Sequence, residues 1–396
     1  MLVLPTPAAD AQSLKSFFDG HRWFELRDAI DAKAGSPLYR GATASAFNQV
    51  SQAEKNLEEA VRTAVNAEEA NEARGALAYL YGRLGRYRDV VRQFDQMLKV
   101  QPGRPDVENA RALFAAFSRY PDQEVARPGP SKVRCQVNGG GITIPVTING
   151  RTVHWGLDTG ANFSVIGESE ARLLGLGVQD VRAQMGDLNA GVASTRTAVA
   201  ERLSIGRAEL RNVAFLVIPD SQPPVDRLPP TERGLIGLPV VLALKTSEWT
   251  GDGAFEVGFR SRRDRGDEAN LCFDGLVTLT RARFKGKDLD FIFDTGNGAG
   301  TQLWARFTKD FSALVKEHGS REVKRVTQFG GSNEREVMVL PEVRLQVGGL
   351  DVALRPANIF SPPVGNDLQH GLLGMDLLSQ ARRVTVDFEA MRLTLE

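Results

Sequence analysis

The chain has little cysteine and little histidine, two of one and four of the other in 396 residues. His21, His154, His318 and His370 are scattered without ligand-like spacing, so no metal site is expected. His154 precedes Asp158 by four positions and is expected to be a packed or surface histidine. There is no surplus of charge either: 49 basic residues balance 49 acidic ones, which gives no support for a nucleic-acid role. No apolar run approaches the roughly 20 residues that a membrane helix needs. The opening "MLVLPTPAADAQ" is too short for a secretion signal. Its apolar start and the Ala9-Asp10-Ala11 triplet nevertheless look like the tail of one, so an exported protein, periplasmic or secreted, is expected, with a cytoplasmic one as the alternative. Two cysteines do not settle the compartment.

What is present is a tripeptide used twice. Asp158-Thr159-Gly160 and Asp294-Thr295-Gly296 each end a run of alternating apolar residues: Val153, Trp155 and Leu157 in the first, Leu289, Phe291 and Phe293 in the second. Each carboxylate therefore falls where a half-buried strand meets a glycine turn. Two apolar residues and a glycine follow each motif at a distance, as Leu235-Ile236-Gly237 and Leu372-Leu373-Gly374, with 237 − 158 = 79 and 374 − 294 = 80. Two motifs recurring in register imply an internal duplication. Cys135 and Cys272 precede their aspartates by 23 and 22 positions and extend it upstream. They are expected to be two separate buried thiols, with a disulfide across the repeats as the alternative. Residues 132–262 and 263–396 read as two versions of one β-rich, mainly antiparallel unit.

These residues resemble the aspartic peptidases, in the retropepsin-like and pepsin-like groups, over about the last two thirds of the chain. The resemblance implies an all-β, bilobal fold in which each lobe supplies one Asp-Thr-Gly loop and the apolar-apolar-Gly segment braces it. It implies that Asp158 and Asp294 are the catalytic pair with a water between them. Thr159 and Thr295 would bond across the pseudo-twofold axis, Gly160 and Gly296 would admit close backbone approach, and Gly237 and Gly374 would belong to the braces. Two adjacent carboxylates sharing one proton can act as base and acid on the same amide, because like charges this close do not both ionise easily. The substrate would be a peptide or protein and no cofactor is implied. Gly296, Gly298 and Gly300 mimic a dinucleotide loop, but position 301 is Thr where that fingerprint needs its last glycine. Since one chain carries both motifs, activity as a monomer is expected. A catalytically inactive peptide-binding module is the alternative, disfavoured because both aspartates are retained.

The sequence departs from the family at several positions. Ala161 follows the first motif, as in retropepsins, where pepsins commonly have a hydroxyl, and this points to a working pH milder than that of a gastric enzyme. Asn297 follows the second, in a glycine-rich loop that could be a loosened copy. Flap hairpins are expected around 185–192, "MGDLNAGV", and 329–336, "FGGSNERE"; with no tyrosine after Tyr120, the flap tyrosine of pepsins is absent.

Residues 1–120 are dominated by helix formers at helical spacing. The stretch "ALAYLYGRLGRYRDVVRQFDQMLKVQP" resembles one tetratricopeptide unit at Ala78, Tyr81, Gly85, Tyr87, Phe94 and Pro102, with Val90 where alanine is usual. Such a helix pair needs neighbours, which are expected from about 12 to 65 and 105 to 119. The helical domain is expected to be either a cap packed on the enzyme or a surface for a protein partner. Because every dyad and brace element lies after residue 132, it is expected to take no part in the chemistry. Residues 121–131, rich in proline and charge, read as a linker, and so does the charged stretch 260–270 between the lobes. The proline-rich segment Pro219 to Arg233 is expected to be a loop, either ordinary surface or a border of the cleft.

Overall fold

The computed structural model describes residues 11–30, 35–138, 140–187, 190–222, 225–261, 268–328, 331–361 and 366–396. Seven helices come first among these: α1 (Ala11–Asp19), α2 (Trp23–Ala29), α3 (Pro37–Ala46), α4 (Val50–Thr63), α5 (Ala67–Arg83), α6 (Tyr87–Val100) and α7 (Pro105–Ser118). Local chemistry sets their ends. Ser36 and Asn66 accept the backbone N–H of Tyr39 and Glu69 as N-caps, and Pro37 and Pro105 open α3 and α7, where a missing N–H costs nothing. Gly85, at φ +70°, makes the turn from α5 to α6.

Two β-rich units follow. In the first, the strand Ala208–Ile218 pairs with both Ala190–Ile205 and Ser164–Gly167. The path from Ser164–Gly167 through Gly234–Ile236, Arg151–Leu157 and Gly141–Ile148 back to Ala190–Ile205 then closes a ring of strands. Ile142, Ile144, Val146 and Ile148 alternate into its core with Val153, Trp155 and Leu157. The second unit repeats the order with interruptions. Where the first has two long strands, the second has Gly331–Leu340 then Val343–Val347, and Leu350–Leu354 then Ala357–Phe360. Pro341 and Pro356 sit at the two breaks, as residues that cannot donate to a ladder. Most pairings are antiparallel, but the brace strands Gly234–Ile236 and Gly371–Leu373 lie parallel to the strands that lead into the aspartates.

A five-stranded sheet ties the units together. Thr246–Thr250 runs antiparallel to Arg383–Asp387, flanked on one side by Ala254–Val257 and Ser131–Arg134 and on the other by Arg392–Leu395. Residues 121–131 do not hang free as the expected linker: Glu124–Arg127 pairs with Ala208–Ile218, and Ser131 begins a strand of the five-stranded sheet. Proline and charge marked this stretch as polar, and exposed edge strands tolerate both. In the stretch 260–270 between the units, residues 262–267 lie outside the described ones.

The helical region shares its core with the β units. Trp23, Phe24, Leu26 and Phe47 belong to the same buried cluster as the interiors of both units. Arg83, 2% exposed, donates to the carbonyls of Ser45 and, in the second unit, Gly275, and its guanidinium lies 4.3 Å from the centre of the Phe273 ring. Cys135 and Cys272 are free and buried. Among the described residues no helix is long and apolar enough to cross a membrane.

Candidate active site

The two aspartates stand at the ends of equivalent strands, Arg151–Leu157 and Lys287–Phe293, where the chain leaves the sheet. The brace strand holds the backbone at each point, with Asp158 N donating to Ile236 O at 2.9 Å and Asp294 N to Leu373 O at 3.2 Å. One residue past each brace glycine, a backbone N–H returns to the loop: Leu238 N to Ala161 O at 2.9 Å, and Met375 N to Asn297 O at 3.2 Å. The brace glycines are required by space. A Cβ on Gly237 would lie 2.5 Å from the main chain of Phe163, and one on Gly374 would lie 2.8 Å from Asn297.

A hydroxyl residue missed by the sequence reading completes each brace. Ser164 Oγ accepts the N–H of Gly237, and Thr301 Oγ1 accepts that of Gly374. Asp376 in turn accepts from both the N–H and the hydroxyl of Thr301. The signal was available, since a hydroxyl residue follows each aspartate at 164 − 158 = 6 and 301 − 294 = 7 positions.

The loops are joined through their threonines. Thr159 N donates to Thr295 Oγ1 and Thr295 N to Thr159 Oγ1, both at 3.1 Å. The two hydroxyls then donate to the opposite strands, Thr159 to Phe293 O at 3.0 Å and Thr295 to Leu157 O at 2.8 Å. Both threonines are buried, and these four bonds satisfy the backbone N–H and the hydroxyl of each. Two threonine–hydroxyl bridges of this kind fix the aspartates opposite each other. A Cβ on Gly160 would lie 2.6 Å from Asp294 Cγ, and one on Gly296 only 2.3 Å from Asp158 Cγ. Each glycine therefore makes room for the carboxylate of the other loop.

Electrostatics separate the half-buried pair. Asp158 Oδ1 accepts the backbone N–H of both Gly160 and Ala161, at 2.8 and 3.0 Å. Asp294 Oδ1 accepts that of Gly296 at 2.8 Å. Burial pushes both carboxyls above the ordinary aspartate range, and for Asp294 the neighbouring charge of Asp158 adds to burial and pushes it up to about 8. The two carboxyls therefore titrate as a pair, and Asp294 is the member whose proton is held more tightly.

The structure brings all eight expected site residues, Asp158, Thr159, Gly160, Asp294, Thr295, Gly296, Gly237 and Gly374, into this one assembly. The expected flap segments fall in hairpins, Gln179–Asp187 with Ala190–Ile205 and Ser320–Gln328 with Gly331–Leu340, although residues 188–189 and 329–330 lie outside the described ones. His154 is exposed on its strand. Among the described residues no cluster of His, Cys, Asp and Glu side chains could hold a metal ion.

Residues 144–240 match the family model described as aspartyl protease. That span carries the first Asp-Thr-Gly loop and its brace. Among solved structures, the chain is similar to a retropepsin-like aspartic protease from Rickettsia conorii, at 16% identity and TM-score 0.23, covering 33% of this chain and 92% of that one. It is also similar to the retroviral protease-like domain of Ddi1 from Leishmania major, at 19% identity and TM-score 0.19, covering 27% and 78% respectively. No curated protein matches the chain. The matched family supports a hydrolase of the aspartic peptidase kind.

Proposed function

We propose that this chain is a bilobal aspartic endopeptidase whose lobes, residues 132–262 and 263–396, each supply one member of a catalytic pair. The observation that carries the reading is the reciprocal threonine bonding that holds Asp158 and Asp294 face to face within one chain. Asp158, anchored by two backbone N–H groups, serves as the base that takes a proton from water. Asp294, held protonated, donates to the carbonyl oxygen of the scissile amide as the water attacks its carbon. The resulting gem-diol collapses as Asp158 gives the proton it took from water to the amide nitrogen and the C–N bond breaks, while one gem-diol hydroxyl returns its proton to Asp294 as the carboxyl product forms, which restores the one-proton pair.

The pH dependence follows from the two carboxyls. Activity falls at alkaline pH as Asp294 loses its proton near 8. It falls at acid pH as Asp158 is protonated, at a pH above the ordinary aspartate value because burial raises that group too. A working range from mildly acid to neutral pH agrees with Ala161 in place of a hydroxyl. Since both half-sites belong to one chain, the monomer is the active form. The helix pair α5–α6 is a single tetratricopeptide-like unit, the helical region is a cap packed on the β units, with a surface for a protein partner as the alternative, and the protein works outside the cytoplasm.

A peptide-library digest at several pH values, with and without a statine-type inhibitor such as pepstatin, tests the reading. Inhibitor-sensitive cleavage with a bell-shaped pH profile is the expected result, and no cleavage at any pH by the folded protein would overturn it.

A further inference from the structure

The loop that carries Asp158 is gripped from outside the β units. Five residues past the aspartate, Phe163 is 6% exposed and points its ring into a socket made by the helical region. It stacks on Phe117 of α7, with ring centres 5.3 Å apart and planes at 28°. Phe114 of α7 and Tyr87 at the start of α6 complete the socket at 5.4 and 5.9 Å. Tyr87 and Phe117 are themselves in contact, so the ring enters a formed aromatic cluster. The main chain of Phe163 lies under Gly237, and Ala161, two residues before it, through its carbonyl and Ser164, the next residue, through its hydroxyl hold the brace. Ala161 N–H in turn bonds to the Asp158 carboxylate. An unbroken path of contacts therefore runs from α7 to the carboxylate.

The same helical region also grips the second unit, through Arg83 on Gly275 O, Trp23 Nε1 and His21 Nδ1 on Asp274 Oδ1, and Arg281 on Glu25. It thus contacts both β units, and in the first it reaches the loop of the aspartate itself. A cap that merely covered apolar surface would not need to reach the loop bearing the aspartate.

We propose that the helical region is a positioning element of the active site, with Phe163 as the positioning residue through which α6 and α7 fix the loop of Asp158. This rests on the peptidase reading above and replaces the expectation that the helices take no part in the chemistry. Displacing a reacting group by about 1 Å costs on the order of a hundredfold in rate, so a socket that fixes the loop acts on turnover more than on substrate binding.

The test is made on the full chain with Phe163→Ala, Phe117→Ala and the double variant, measuring kcat and KM separately on one cleaved peptide. Each single variant is expected to lower kcat about tenfold to a hundredfold with KM within about threefold of native. The double variant should be no worse than the more impaired single one, because both remove the same contact. Phe163→Leu, which keeps apolar volume, should lose only several-fold, and it decides the matter if the alanine variants do not fold. Folded variants with native kcat, or variants that raise KM while kcat stays native, would overturn the proposal. A native protein that cleaves nothing would instead sink the peptidase reading on which it stands.

Discussion

The loops of Asp158 and Asp294 share the bonds to their braces and to each other's threonine, yet they are steadied by different means. The first, "DTGANFS", is short, and its aromatic residue is locked into the helical region. The second, "DTGNGAGT", is one residue longer and closes on itself: Asn297 Nδ2 donates to Gly300 O at 2.7 Å, and Asn297 Oδ1 accepts the N–H of Ala299 at 3.1 Å. Gly300, at φ +97°, takes a backbone conformation that a side chain would strain. The glycine-rich second loop is therefore not a loosened copy. Its asparagine and Asp376 do locally what Phe163 does by reaching into another region. Duplicated loops can thus keep a shared bonding core while each recruits its own support.

If both loops serve one proton-sharing pair, damage to either should have the same result. Asp158→Asn and Asp294→Asn, each alone, are expected to lower kcat/KM by at least a few hundredfold, the upper part of what positioned acid–base groups contribute. Steady-state kinetics on folded variants check this. Near-native activity in Asp294→Asn would make the second loop structural and break the equivalence.

The threonine junction sharpens the comparison from the side of stability. Thr295→Val leaves Leu157 O without its donor and Thr159 N without its acceptor in a buried place. At about 1–3 kcal/mol for each unsatisfied group, a loss of roughly 2–6 kcal/mol is expected from denaturant unfolding. Thr159→Val should cost about the same, because its bonds are the mirror of these.

A smaller effect separates the two aspartates. The folded protein holds Asp294 near 8, far above the value of an aspartate in an unfolded chain. A raised carboxyl value means that ionisation opposes folding. The cost is absent at pH below the unfolded value, grows as pH rises through the interval, and is complete above about 8. Asp294→Asn removes it, so the variant should melt a few degrees higher than native at pH 8–9, with the difference shrinking towards pH 4. Equal melting temperatures for variant and native protein at pH 9 would contradict the assignment.

How much of this was legible in the sequence depended on whether the signal was local. The Asp-Thr-Gly motifs, their braces and the strand alternation before them needed only neighbouring residues and a repeat distance. The breaks in the second unit were also written locally, at Pro341 and Pro356, but a proline near a strand end reads the same whether it stops a strand or splits one. Phe163 was not legible. An aromatic residue after a turn predicts burial without saying against what, and its partners Tyr87, Phe114 and Phe117 showed only that α6 and α7 each bury a face. The strand at Glu124–Arg127 was hidden for the converse reason: its pairing is decided by the edge that Ala208–Ile218 offers, not by its own polar composition.

The central claim is that Asp158 and Asp294 share one proton across the junction, and the most direct measurement is a carbon-13 NMR titration of the aspartate carboxyls in native protein and in Asp158→Asn. The account predicts that Asp294 titrates near 8 in the native chain and at least about one unit lower in the variant, since the neighbouring charge that helps hold its proton is gone. An Asp294 carboxyl that titrates near 4 in the native protein, or whose titration is unmoved by Asp158→Asn, would contradict it.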